Sequence, residues 1–134
     1  MTVTFDDGAW TIEVDGVDGV ISEAKTEDAI QEWALDAFIG CAEVQLQRRM
    51  VIKPAPLPKS GQRVLIVPVV TALKVMLRSA MNERGISRSE LARRMGTTSQ
   101  SVVQSLALSK KATSIETLFK AFEAIGMTVE VTAE

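Results

Sequence analysis

Apolar and polar residues alternate along MTVTF and again along AWTIEV, so both stretches are predicted to be strands with one buried face. In the second, Trp10, Ile12 and Val14 share that face. The DDG between them is a tight-turn signal, and the two runs are expected to pair as a hairpin. Gly16 and Gly19 suit turns or bulges, and residues 20–24 read as a third short strand. The period then changes. Thr26 can cap a helix, with Glu27 and Asp28 favourably placed for its dipole. Apolar residues follow at Ile30, Trp33, Ala34, Ala37, Phe38, Cys41 and Val44, a three-to-four spacing that predicts a long amphipathic helix. Its far side bears Gln31, Glu32, Asp36 and Glu43, and Arg48 and Arg49 suit its carboxyl end. Pro54, Pro56, Pro58, Ser60 and Gly61 exclude helix over residues 53–61, which read as a proline-rich loop. RVLIVP has a buried-strand pattern over residues 63–67 and is expected to return to the first sheet.

The rest of the chain is helical in pattern until its end. Residues 69–83 place Val70, Leu73, Leu77, Ala80 and Met81 on one face, and Gly85 stops the run. Helices are predicted over residues 88–95 and 99–106, with Gly96 between them. Ser87 and Glu90 have the Ser-x-x-Glu capping spacing, and Thr97 or Thr98 can cap the second helix. Ser114 caps a last helix whose inner face is Ile115, Leu118, Phe119, Phe122 and Ile125. MTVEVTA is predicted to be a terminal strand, paired within the chain or across a dimer. The expected fold class is α+β: a β-β-β-α-β domain over residues 1–67, and a helical domain with a terminal strand over residues 68–134.

Two short helices around a tight turn, inside a small helical unit, are the form of a helix-turn-helix. Leu91, Ala92, Val102 and Leu106 are expected to face the core, which leaves Ser99, Gln100, Ser101, Val103 and Gln104 outside. That outer face fits DNA. Gln makes bidentate contacts with adenine, Ser reaches several base edges, and Val103 can meet a thymine methyl. Thr97 and Thr98 sit at the positive end of the helix dipole, where a phosphate is favoured. Arg88 is placed to reach another phosphate, while Lys110, Lys111 and Arg94 extend the electrostatic footprint. A homodimer or higher oligomer is expected, because operators with two half-sites mirror two-fold proteins.

Composition narrows the chemistry. Histidine and tyrosine are absent and Cys41 is the only cysteine, which removes Ser-His-Asp and Cys-His catalysis, zinc sites built on histidine, and an internal disulfide. Asp6, Asp7, Glu13 and Asp15 could be read as a metal-binding nuclease cluster, yet they fall in a turn or face away from the Trp10 side. No enzyme activity, metal or cofactor is therefore expected, and Cys41 is read as a core residue. There is no membrane-spanning run and no secretory pattern at MTVTFDDGAW, so a cytoplasmic protein without a membrane partner is expected. Charge is unevenly distributed: residues 1–60 carry 11 carboxylates against 5 basic side chains, whereas residues 71–111 carry 8 basic against 2 acidic. The two halves are expected to meet different partners.

Several stretches, taken in order, resemble the HicB antitoxins of bacterial type II toxin–antitoxin systems. They are the β-β-β-α-β plan, TEDAIQEWALDAF, IKPAPL before VLIVP, LKVMLRSAMNERGISRSELARRMG, and KKATSIETLFKAFEAIG before the closing strand. The resemblance covers nearly the whole chain. It implies a partial RNase H-like front domain and an Xre or lambda-repressor-like helix-turn-helix domain behind it. It further implies that the front domain blocks a HicA-type mRNA interferase and that the back domain binds operator DNA and represses the operon. An RNA-cleaving toxin needs a basic working surface, so Asp6, Asp7, Asp15, Asp18, Glu32 and Asp36 are the expected toxin contacts. The alternative is a stand-alone helix-turn-helix regulator whose front domain senses a small molecule or another protein.

Overall fold

The computed structural model describes residues 1–17, 19–53, 58–109, 113–130 and 132. Strands β1 (Thr2–Asp6), β2 (Ala9–Glu13) and β3 (Ile21–Ala24) form an antiparallel sheet in the order β1-β2-β3. The hairpin closes through Asp7 and Gly8 at φ +52° and +80°. Two positive φ angles in a two-residue loop match the right-handed twist of the strands it joins. Val3, Ile12 and Ser22 share the inner face by register, with Ile12 fully buried. Helix α1 (Ile30–Gln47) covers that face, and Ile30 and Ala34 pack on Ile12 and Ala24.

Several details of this half differ from the sequence pattern. Thr26 makes no side-chain cap; a 3₁₀ turn over Glu27–Ala29 precedes α1 instead. The buried stripe of α1 follows Ile30, Ala34, Ala42 and Leu46, at multiples of four. Trp33 is 51% exposed and Val44 is also exposed, because a three-stranded sheet covers only a narrow strip of the helix. Cys41 is half-buried, and its thiol lies 3.6 Å from the carbonyl oxygen of Gly19.

The expected strand over residues 63–67 is not formed. Met1 and Arg63 exchange two backbone hydrogen bonds, of 2.7 and 2.9 Å. Beyond them the side chain of Gln31 takes the place of a neighbouring strand. Its Nε2 donates to the carbonyl of Ile66 at 2.6 Å, and its Oε1 accepts from the Ile66 amide at 3.3 Å. A side-chain amide satisfies one residue's backbone but cannot extend a ladder. Leu65 packs on the front core, while Val64 and Ile66 face solvent.

The back half holds α2 (Val69–Arg84), α3 (Arg88–Met95), α4 (Ser99–Leu106) and α5 (Ile115–Ala124). Their core contains Leu73, Leu77, Met81, Leu91, Ala92, Val102, Leu106, Leu118, Phe122 and Ile125. Ile115, expected inside, is exposed. Serine and threonine caps start three of the helices: Ser87 accepts from the Glu90 amide, Thr98 from Ser101, and Ser114 from Thr117, each at 3.1 Å. Residues 127–130 form no strand, since a strand requires a partner edge and none of the described residues supplies one there; residues 131 and 133 of the expected strand lie outside the described residues.

Helix α2 is buried almost all round because it packs on both halves. Ala42, Leu46, Val75 and Leu108 form a small core between α1 and α2. Lys74 is fully buried and Arg78 is 4% exposed. Arg78 Nη1 donates to Glu43 of α1 and, at 3.3 Å, to the carbonyl of Leu106; Lys74 Nζ donates to the carbonyl of Ala107 at 2.9 Å. Two cations of α2 therefore tie α1 to the carboxyl end of α4. Burial pushes the Lys74 ammonium below its usual range; Glu43 opposes that shift and Arg78 adds to it.

Candidate nucleic-acid and protein interfaces

Helices α3 and α4 meet around Gly96, which lies at φ +71°. The Thr97 amide donates to the carbonyl of Ala92 at 2.9 Å and the Gly96 amide to that of Arg93 at 3.3 Å, a Schellman termination. The Thr98 cap then starts α4, and Ser99 Oγ and Ser89 Oγ, 3.2 Å apart, link the first turns of the two helices. Val102 and Leu106 anchor α4 in the core.

The opposite face of α4 is open. Thr97, Thr98, Ser99, Gln100, Ser101, Val103 and Gln104 are all exposed. Gln100 and Gln104 are one turn apart and share one side of the helix, with Val103 beside them. Such a surface presents amide donors and acceptors, hydroxyls and one aliphatic group to whatever enters it. Arg88 is half-buried in the first turn of α3. Lys110 and Lys111 lie outside the described residues.

The basic character of this half is distributed differently from the sequence count. Lys74 and Arg78 are inside and contribute no surface charge. Arg93 and Arg94 both bond Glu90, and Arg94 Nη1 also donates to the carbonyl of Ala124 at 3.2 Å. Those bonds, the Arg94 one first, hold the Glu90 carboxyl below its usual range. Arg94 thus joins α3 to α5.

The acidic residues singled out in the front half do not form one patch. Asp6 and Asp7 are exposed at the hairpin turn. Asp15 is exposed beyond the other end of β2, about 20 Å away by strand rise, and accepts from Gln62 Nε2 at 3.0 Å. Glu32 and Asp36 are exposed one turn apart on α1. Ala24 pairs with Trp10 beside the hairpin turn, and α1 starts six residues later, so Glu32 and Asp36 lie toward the Asp6–Asp7 end. Exposed Trp33 is on the same stretch of α1, and exposed Phe5 stacks on Trp10 with ring centroids 4.8 Å apart. Sequence periodicity assigned Trp33 to the core; nothing in its spacing distinguishes an anchor for a partner from a packing residue. Asp18 lies outside the described residues. Among those described, no group of three or more Asp, Glu or Cys side chains converges on a point where a metal ion could sit. No described helix is long and apolar enough to cross a membrane.

Two families match successive stretches of the chain, meeting within α2. Residues 1–76 match the family described as HicB-like antitoxin of bacterial toxin–antitoxin systems, and residues 77–131 match a helix-turn-helix family. Antitoxin HicB 2 of Photorhabdus laumondii subsp. laumondii is 29% identical over 128 residues, covering 96% of this chain and 90% of the relative. Antitoxin HicB 1 of the same organism is 30% identical over 129 residues, covering 96% and 81%. With its sheet-and-helix front, its helix-turn-helix back and these matches along both, the chain belongs to the HicB-like antitoxin family and carries a helix-turn-helix DNA-binding domain.

Proposed function

We propose that this protein neutralises a HicA-type mRNA interferase and represses its own operon by binding the operator as a dimer or higher oligomer. In this reading the toxin-binding unit is the partial RNase H-like module of residues 1–67, and the DNA-binding unit spans residues 68–134. It acts in the cytoplasm, by binding and not by catalysis. The observation that carries the DNA role is the open face of α4, where Gln100 and Gln104 stand side by side in solvent above a buried Val102 and Leu106. Thr97, Thr98, Ser99, Ser101 and Arg88 surround that face with hydroxyls and a cation. Base readout belongs to Gln100 and Gln104, and backbone contact to the residues around them.

The toxin role rests on charge and on exposed aromatics. Asp6 and Asp7 follow exposed Phe5 at the hairpin turn, and Glu32 and Asp36 lie within a turn of exposed Trp33 on α1. An aromatic anchor inside a charged rim suits a cationic protein: the anchor gives affinity, and the rim speeds encounter. Asp15, at the far end of the hairpin, is the weakest member of that contact set. Co-expression with the toxin of the adjacent reading frame tests both roles. Rescue of growth, co-purification, and loss of capture on reversing Asp6, Asp7, Glu32 and Asp36 support the proposal. Toxin capture that is indifferent to those charges and to salt overturns this contact surface.

One observation favours the alternative of a ligand-sensing regulator. A mostly apolar cavity of about 430 Å³ lies between the sheet, the linker and α2, with Val14, Phe38, Leu65, Val75 and Met76 in its wall. That is a volume suited to a small ligand. A regulator of this kind would bind operator DNA with no toxin partner and would change affinity when the cavity fills.

A further inference from the structure

A second cavity, of about 370 Å³, lies where the two halves meet. Three arginines stand in its wall: Arg49 from the turn after α1, Arg78 from α2, and Arg88 from α3. Gln47, Asn82, Ser87 and Ser89 complete its polar lining, and among the described residues no carboxylate lines it. Arg78 is 4% exposed and its Nη1 is paired with Glu43, which leaves Nη2 as a buried donor with no hydrogen-bond partner among the described residues, while Arg49 and Arg88 bring the uncompensated charge. At the same wall begins α3, whose first-turn amides at Arg88 and Ser89 have no acceptor within the helix. Ser89 is in turn bonded to Ser99, at the start of α4. The cavity therefore combines cations, hydroxyls and helix amides, and it abuts the helix that carries Gln100 and Gln104.

From this juxtaposition we infer that the cavity is a phosphate site for the operator backbone, and that Arg49 of the antitoxin module supplies part of it. This rests on the DNA-binding reading above and extends it: DNA contact is shared by the two halves of the chain. Arg49 is held in place by its backbone. Asn82 Nδ2 donates to the carbonyls of Leu46 and Met50, at 3.1 and 2.8 Å, and so fixes the turn between them. The Met50 amide bonds the carbonyl of Gln45, and the Arg49 amide that of Leu46, each at 3.1 Å. That pattern is the Schellman termination also seen after α2, α3 and α5. Those three place Gly85, Gly96 and Gly126 at the left-handed position, with φ between +67° and +82°; α1 places Arg49 there, at φ +62°. An arginine thus occupies a position whose backbone favours glycine.

This makes Arg49→Gly the informative variant, since it removes the cation and suits the turn. Binding of the full-length protein to a duplex from upstream of its own gene, and to an unrelated duplex, is measured across a salt series. The thermal midpoint of Arg49→Gly is expected to equal or exceed that of the wild type. Its affinity should fall about three- to tenfold for both duplexes. The slope of log K against log salt should flatten by about 0.9 for each bound copy. Equal affinity and slope in the two proteins overturn the inference while the DNA-binding reading stands. A wild type that binds neither duplex overturns both. Calorimetry with inorganic phosphate as the probe separates the sources. Arg49-dependent binding of phosphate, with duplex binding unchanged by Arg49→Gly, would assign the cavity to a free anion and overturn the operator assignment.

Discussion

Replacing Glu43 by alanine tests what holds the two halves together. Glu43 is the carboxylate partner of Arg78, which is 4% exposed; the Glu43 side chain is 27% exposed. Breaking a fully buried pair costs about 3–5 kcal/mol, most of it from leaving an uncompensated charge inside. Partial exposure of Glu43 lets water reach the arginine once the carboxylate is gone, and alanine gains a few tenths of a kcal/mol as the better helix former, about 0.5 at most. Arg78 keeps the carbonyl of Leu106 as an acceptor. The net loss expected for Glu43→Ala is therefore about 2–3 kcal/mol. For a chain of 134 residues that lowers the thermal midpoint by roughly 6–15 °C. Arg78→Met removes the buried charge itself and should cost less than Glu43→Ala, since the replacement packs and needs no partner. In a double-mutant cycle by urea denaturation the pair should show coupling of about 1.5 kcal/mol or more. A Glu43→Ala cost below about 0.5 kcal/mol, or the same cost in the Arg78→Met background, refutes the reasoning.

Three further outcomes follow from the geometry. Thr98→Ala should cost about 1 kcal/mol by removing the acceptor for the Ser101 amide, seen as faster hydrogen exchange in the first turn of α4. Phe122→Ala, at a side chain 1% exposed in the helical core, should cost about 3–5 kcal/mol in denaturant unfolding, more than any surface change in that half. The Glu90 carboxyl should titrate by NMR below its ordinary value of 4.5, because Arg94 and Arg93 bond its charged form. Its contribution to stability is present above that ordinary value and is lost as pH falls through the lowered one. Replacing both arginines by alanine should return the midpoint to the ordinary value.

Local chemistry made the helix-turn-helix legible from the sequence. Ser87 and Ser114 cap α3 and α5 as expected and Thr98, one of two candidates, caps α4, while Gly85, Gly96 and Gly126 end α2, α3 and α5. Caps and stops act within one turn, so they can be read without knowing what lies across the molecule. The Asp7–Gly8 hairpin belongs to the same class, because two positive φ angles are a local demand. The exposure of Gln100 and Gln104 followed from helical period alone.

Tertiary structure decided everything that depended on a distant partner. Lys74 and Arg78 count toward the basic charge of residues 71–111 in the sequence; they are buried because α2 packs on both halves, and a sequence does not show which faces of a helix find neighbours. Trp33 fits an apolar stripe, yet the sheet is too narrow to reach it. Residues 63–67 and 127–130 have the composition of strands and are not strands, since Gln31 occupies one backbone position and, among the described residues, no edge meets the other segment. The cavity of Arg49, Arg78 and Arg88 draws on three elements separated by tens of residues, so only the docking of the halves creates it. The sequence determined the first hairpin and the starts and stops of the helices around the helix-turn-helix, through interactions within a turn or two. Burial, charge neutralisation and shared sites come from contacts made across the fold, and those belong to the tertiary structure alone.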